Sequence, residues 1–325
     1  MVKKHIAVVM GGYSSEFEIS LLSGDVVCES LDANAYNVYR IHILKSGWCY
    51  LANDGTKYPI NKSDFSFNTA NGIVKPDAIF NTVHGTPGED GLLQAYWELL
   101  EIPQSSPNFY PAALSFNKRD CLSVLKNFGI KCANSYSINK GSNFSSEEII
   151  KKVGLPCFVK PNRAGSSFGI SKVYDIDKLL PAIDIAFEED SEIIIETALV
   201  GTEVSVGSYQ RNGELIVLSP TEIVTDNDFF DYEAKYLGKS QEITPARISE
   251  EETIVVQNKT KDIYRILNMC GITRCDFIIQ DGEPYFIEIN ATPGLSKESI
   301  VPKQALEAGL TLTEFFGDII EELFR

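Results

Sequence analysis

Short apolar runs alternate with helix-like stretches over the first hundred residues. His5 to Met10 reads as a buried strand that ends at Gly11-Gly12, and Val38 to Leu44 and Ala78 to Val83 read the same way. Between them, Ser15 to Leu31 has a helical pattern, with Ser15 and Glu18 in capping-box spacing, and Leu92 to Leu100 forms a short apolar helix. Strands alternating with helices predict a largely parallel, doubly wound sheet. Ligands of such sheets sit at the carboxyl ends of the strands. That places Gly11, Gly12 and the loop NTVHGTPGEDG, residues 81–91, beside a site.

Ile102 to Pro111 is a polar, proline-bearing connection and marks a first domain boundary. Beyond it the pattern predicts a helix over Ala112 to Phe128, then strands at Ala133 to Ile138, Cys157 to Pro161 and Gly169 to Asp175. A helix near Lys178 to Phe187 precedes two more apolar runs, Glu192 to Leu199 and Glu203 to Tyr209. Strands resume at Leu215 and are interrupted by a polar stretch over residues 225–242, long enough to read as a functional or a disordered loop. Ser249 and three glutamates after it open a helix running to Met269, suited to that helix's positive end. A last strand pair and a helix from Leu312 to Phe324 complete the pattern.

The chain has 325 residues, which predicts two or three domains, and a net charge of -16. That charge repels nucleic acid and anionic membranes, so an anionic substrate needs a local basic pocket. The cysteines number seven and show neither CxxC nor metal-ligand spacing, which reads as reduced, mostly buried thiols in a cytosolic protein. The start, MVKKHIAVVMGG, has too short an apolar run for a signal peptide and reads as the first strand. No stretch is long enough to span a bilayer, and the expected location is the cytoplasm.

The strongest chemical signal lies in residues 274–290, RCDFIIQDGEPYFIEIN. Asp281-Gly282 predicts a hairpin turn. Alternation puts Arg274 with Asp276 on one face of the first strand and Glu288 with Asn290 on one face of the second. If the hairpin brings the four together, three oxygen donors suit Mg2+, and the arginine suits a developing oxyanion or phosphoryl group. A second signal is VKPNRAGSSFG, residues 159–169, where Lys160 ends a strand before a Gly/Ser-rich turn that reads equally as a phosphate cradle or as a plain flexible turn. No GKS or GKT follows, so it is not a Walker A loop. Lys118 by itself reads as a surface lysine, Glu16 as a partner for the dipole of the first helix, and His84 as a turn residue.

In chain order, six pieces resemble the D-alanine–D-alanine ligases of the ATP-grasp superfamily. They are GGYSSEFEISLLSG (11–24), HGTPGEDGLLQ (84–94), FVKPNRAGSSFGISKV (158–173), DYEAKYL (231–237), RCDFII (274–279) and FIEINATPGLSKESIVP (286–302). The resemblance implies an α/β, three-domain ATP-grasp fold: an N-terminal domain with a doubly wound parallel sheet (1–103), a central subdomain (104–200) and a C-terminal catalytic domain (201–325). It also implies that residues 225–242 close over ATP held between the last two domains.

The family's arrangement implies that Lys118 and Lys160 hold ATP phosphates. The hinge from Glu196 to Leu199 receives the adenine, and Glu203 the ribose hydroxyls. Lys235 contacts the terminal phosphates, while Asp276, Glu288 and Asn290 bind two magnesium (or manganese) ions. Glu16 binds the ammonium of the first D-alanine, with Ser166 and Tyr236 linking it to the closing loop. Ser299 binds the carboxylate of the second D-alanine, and Arg274 and the Gly294 N–H stabilise the oxyanion. The implied activity is ATP-dependent synthesis of D-alanyl-D-alanine for peptidoglycan through a D-alanyl phosphate, with a homodimer as the implied assembly. A D-lactate or D-serine ligase, or a non-catalytic ATP-binding protein, are the alternatives. Asn117 stands where the family commonly has aspartate, Thr197 where it often has lysine, and Pro87 alters the 84–91 loop.

Overall fold

The computed structural model describes residues 3–165, 168–225 and 240–325. Among these residues the strands form three sheets. In the first, β1 (Lys4–Gly11) lies between β2 (Tyr36–Leu44) and β7 (Ala78–Asn81) and pairs parallel with both. Helix α1 (Phe17–Ser30) makes the crossover from β1 to β2, and α2 (Leu92–Leu99) follows β7. Beyond β2 the sheet continues as a meander of antiparallel strands: β3 (Gly47–Leu51), β4 (Lys57–Asn61), β5 (Ser66–Thr69) and β6 (Gly72–Val74). The parallel part is therefore β2-β1-β7, and the turn-rich segment after Leu44 supplies an antiparallel extension to which no strand was assigned from sequence.

The expected capping box of α1 does not form. Glu16, not Ser15, is the N-cap, and it makes no side-chain cap hydrogen bond. The turn is instead tied to the 84–91 loop, because the Ser14 hydroxyl donates to the His84 carbonyl at 2.8 Å. The expected helix over Ala112 to Phe128 is two helices, α3 (Phe109–Phe116) and α4 (Lys118–Asn127). The break is at Asn117, whose extended backbone and side-chain oxygen, accepting from the Asp120 N–H, make it the N-cap of α4. Asparagine caps as well as aspartate does, so the altered residue keeps its structural role.

The second sheet has the order β10-β9-β11-β8, with β8 (Ser135–Asn139), β9 (Cys157–Pro161), β10 (Ser171–Val173) and β11 (Glu192–Thr197). Helices α5 (Ser146–Val153) and α6 (Leu179–Glu189) cover it, and its core is its own: Ile149, Val159, Leu179, Ile183 and Ile195 are buried together. The third sheet is built on β12 (Thr202–Arg211), flanked by β13 (Glu214–Val217), β14 (Thr221–Thr225) and β15 (Ser240–Ile243) on one side. On the other side it is flanked by the hairpin β16 (Thr273–Gln280) and β17 (Glu283–Asn290). Helix α7 (Glu250–Ile266) carries the full capping box between Ser249 and Glu252.

Two cores hold the first and third sheets to their neighbours. Helix α4 buries Cys121, Leu122 and Leu125 with Phe277, Phe286 and Ile289 of the terminal hairpin. The first sheet shares a core with the last helices, α8 (Ile300–Glu307) and α9 (Leu312–Glu322), through Val8, Phe80, Val301, Phe315 and Phe316. Burying side chains of this size is worth roughly 1.5–3 kcal/mol each. The carboxyl end of β1 is thereby fixed beside the end of β17.

Candidate active site

A cavity of about 300 Å³ lies where the three sheets meet, lined by Glu16, His84, Glu89, Lys118, Gly165, Arg274, Glu288, Asn290, Gly294 and Ser299 among others. Its floor is the terminal hairpin. Arg274 pairs with Asn290 and Asp276 with Glu288 in register, so all four residues share a face. Arg274 grips Asp276 through two bonds, Nε to Oδ1 at 2.9 Å and Nη2 to Oδ2 at 2.7 Å. Asn290 Nδ2 donates to Asp276 at 3.1 Å, and the buried Ser205 hydroxyl donates to it at 2.6 Å. Asp276 is only 7% exposed, so these donors replace the water it has lost.

Two carboxylates and one amide oxygen are a donor set that fits a hard divalent cation completing its shell with phosphate or water oxygens. Among the described residues no group of three or more His, Cys, Asp or Glu side chains is arranged for a metal. Glu288 and Asn290 line the cavity and Asp276 lies behind them, so these three together with ligand oxygens could hold such a cation.

Lys118 is the first residue of α4, not a residue inside a longer helix. Its ammonium reaches across to Glu288 at 3.5 Å and donates to the Ala164 carbonyl at 2.9 Å. Lys160 ends in an ion pair with Glu196 at 2.9 Å, both side chains nearly buried. Burial pulls the Lys160 pKa down, but attraction to Glu196, then Glu288 and Glu203, outweighs it and leaves the lysine above its ordinary value. Lys160, Glu196, Leu199 and Glu203 do not line the cavity itself. Lys160, with Glu196 and Glu203, is linked to it by charge through the cavity-lining Glu288, and Leu199 is half-buried just past the end of β11. Thr197 makes no use of its side chain toward a ligand, because its hydroxyl donates to the Val153 carbonyl at 2.6 Å.

The opposite wall is the segment after β17. Gly294 folds back so closely on Ser299 that a Cβ there would lie 2.9 Å from the Ser299 hydroxyl. Ser299 is the N-cap of α8, makes no side-chain cap hydrogen bond, and has its hydroxyl 2.8 Å from that of Ser296. A helix start with uncapped N–H groups is suited to a carboxylate. Ser166, Lys235 and Tyr236, and most of the 225–242 loop, lie outside the described residues.

Two residues of the 84–91 loop hold this wall in place. His84 Nδ1 sits 2.9 Å from the Thr292 carbonyl, which can only accept, so Nδ1 carries the hydrogen. Nε2 then accepts from the Ser23 hydroxyl at 3.2 Å, and Ser23 accepts from the Leu295 N–H at 3.1 Å. Burial lowers the His84 pKa, in keeping with this neutral tautomer. Glu89 accepts from the Gly85 N–H at 2.7 Å and the Thr292 N–H at 3.2 Å. Burial, and then the charge on Glu16, push its pKa up to about 8 against those two donors. The sequence reading treated His84 as a turn residue and passed over Glu89. The only signal was an acid and a histidine in one glycine-rich loop at the end of a strand.

The family model of the D-Ala–D-Ala ligase N-terminus matches residues 5–107, and that of the C-terminus matches residues 124–321. A D-alanine–D-alanine ligase of Flavobacterium johnsoniae is 57% identical over 318 residues, covering 98% of each chain. Among solved structures, the VanG D-Ala:D-Ser ligase of Enterococcus faecalis superposes with a TM-score of 0.87 at 33% identity, covering 99% of this chain and 100% of its own. An ATP complex of the Bacillus anthracis D-alanine–D-alanine ligase does so with 0.80 at 28% identity, covering 99% and 98%. With both halves of the family matched in order on an α/β scaffold of the ATP-grasp type, the chain belongs to the D-alanine–D-alanine ligase family.

Proposed function

We propose that this chain joins two D-alanines to D-alanyl-D-alanine with cleavage of ATP to ADP and phosphate, for peptidoglycan precursor synthesis. The observation that carries this reading is the shared cavity. Glu16, suited to an ammonium, Lys118, suited to a phosphate, and Glu288, suited to a divalent cation, face the same 300 Å³ as Arg274, Gly294 and Ser299. An enzyme that makes an acyl phosphate and then an amide needs these functions within one water-excluding space.

In this reading Glu16 holds the ammonium of the first D-alanine and orients its carboxylate toward the γ-phosphate of ATP. Lys118 and Lys160 offset the charge of the phosphates, the Glu196–Leu199 hinge seats adenine, and Glu203 takes the ribose. Asp276, Glu288 and Asn290 would hold magnesium ions, which neutralise phosphate charge when bound. Ser299 and the start of α8 take the carboxylate of the second D-alanine. Its amine attacks the acyl carbon, and phosphate leaves as Arg274 and the Gly294 N–H stabilise the oxyanion. Ser166, Lys235 and Tyr236 belong to the same assignment, as does the division into domains at 1–103, 104–200 and 201–325.

Purified protein given ATP, Mg2+ and D-alanine should release phosphate and form the dipeptide in equal amounts. Absence of turnover would overturn the assignment. The likeness to a D-Ala:D-Ser ligase makes D-serine the first competing second substrate to test, with D-lactate beside it. No helix among the described residues is long and apolar enough to cross a membrane. A cytoplasmic location, where ATP is supplied, and a homodimer complete the proposal; light scattering of the purified protein tests the dimer.

A further inference from the structure

Glu16 sits between two glycines from different parts of the chain. On one side, a Cβ built on Gly85 would lie 3.5 Å from the Glu16 Oε2 and 2.8 Å from the Ser14 Cβ. On the other, a Cβ built on Gly165 would overlap Oε2 and come within 2.9 Å of both Cδ and Oε1. Real Cβ atoms do not approach neighbours as closely as the Gly165 position would, whereas the 3.5 Å between Gly85 and Glu16 is an ordinary contact. Gly165 has no left-handed φ, so no left-handed strain opposes a side chain there and the crowding is against Glu16 alone among the nearest atoms. The Gly165 carbonyl accepts from the Phe168 N–H at 3.2 Å, and the preceding carbonyl, that of Ala164, accepts from Lys118. Consecutive residues of one loop therefore touch the lysine that faces phosphate and the carboxylate that faces the substrate amine.

We infer that Gly165 is a positioning residue: its bare Cα lets the loop after β9 rest on the Glu16 carboxylate, so that loop placement and recognition of the first substrate's ammonium are coupled. The inference rests on the assignment of Glu16 to that ammonium. An added methyl meets the far end of a flexible side chain. The substitution should therefore displace the carboxylate and leave the fold intact.

Gly165→Ala should melt within about 2 °C of the parent and raise KM for the first D-alanine at least tenfold. Glu16→Asp shortens the carboxylate and makes room for that methyl. The double variant should therefore lose no more activity than Glu16→Asp alone. Multiplicative losses in the double variant, or an unchanged KM in Gly165→Ala, would overturn the inference. Should Gly165→Ala fail to fold, hydrogen exchange on the unaltered protein decides the matter. D-alanine alone should slow exchange at the Gly165 and Phe168 amides in the parent but not in Glu16→Gln, and equal behaviour of the two would refute the coupling. Failure of the underlying assignment is seen separately, as absence of D-alanine-dependent ADP release by the unaltered protein.

Discussion

Asp276 faces Glu288 across the terminal hairpin because Ile287 is left out of the ladder. The Asp281-Gly282 turn sets Gln280 against Glu283, and regular pairing continues to Phe277 against Phe286. Carried one step further, that register would oppose Asp276 to Ile287 and turn Glu288 and Asn290 to the other face. A bulge at this step restores the pairing of Asp276 with Glu288 and of Arg274 with Asn290. Deleting Ile287 should therefore straighten the ladder while keeping both the site pairs and the buried Phe277–Phe286 contact. Deleting Tyr285 should keep the site pairs only by expelling Phe286 from the core, a loss of about 3–5 kcal/mol if the ring is treated as truncated. Thermal melting of the two deletions checks this; equal stabilities would contradict it.

How far the site was legible follows from this hairpin. Alternation within each strand, the turn residues and the chemistry of Arg274, Asp276, Glu288 and Asn290 were all readable, because they depend on local geometry. Whether the two pairs meet depends on a single unpaired residue, which no local pattern announces. The break at Asn117 was missed for a related reason, since the apolar period runs through it and only the side chain's capping geometry stops the helix. The strands between Gly47 and Val74 are short and turn-rich, and they gain stability from packing such as Tyr50 against Tyr58 and not from propensity. The parallel strands, the Ser249 cap and the last helix were plain because pattern and packing agree there.

Arg274 holds Asp276 and faces the cavity, so its removal should act twice. Arg274→Ala should lower kcat about 10²–10³-fold, the loss expected for one oxyanion donor, equivalent to roughly 2.7–4 kcal/mol. Arg274→Lys keeps the charge but cannot make the paired contact to Asp276, so it should recover only part of the activity. Steady-state kinetics beside a melting curve checks both, and wild-type kcat in either variant would contradict the assigned role.

Glu89 should give the fold a distinct pH dependence. Burial raises its pKa to about 8 from the ordinary 4.5, so between those values the folded chain holds a proton that the unfolded chain has released. Stability from this group is therefore complete below about pH 4.5 and is lost as pH rises toward 8. Glu89→Gln cannot ionise and should flatten the melting temperature across that window, gaining on the parent as pH rises. A parallel pH profile in parent and variant would contradict this.

Lys160 and Glu196 should be tested as a pair, because each is the other's main compensation for burial. Lys160→Met leaves the Glu196 carboxylate, 6% exposed, without its cation, and breaking such a pair from one side costs about 3–5 kcal/mol. Adding Glu196→Gln removes the stranded charge and should return most of that stability. Activity should not return with it, since the ammonium proposed to face the phosphates is still missing. Melting curves and ATP turnover on the single and double variants separate the two effects. If the double variant regained activity along with stability, Lys160 would be a structural cation only, and phosphate neutralisation would have to rest on Lys118 and groups beyond the pair.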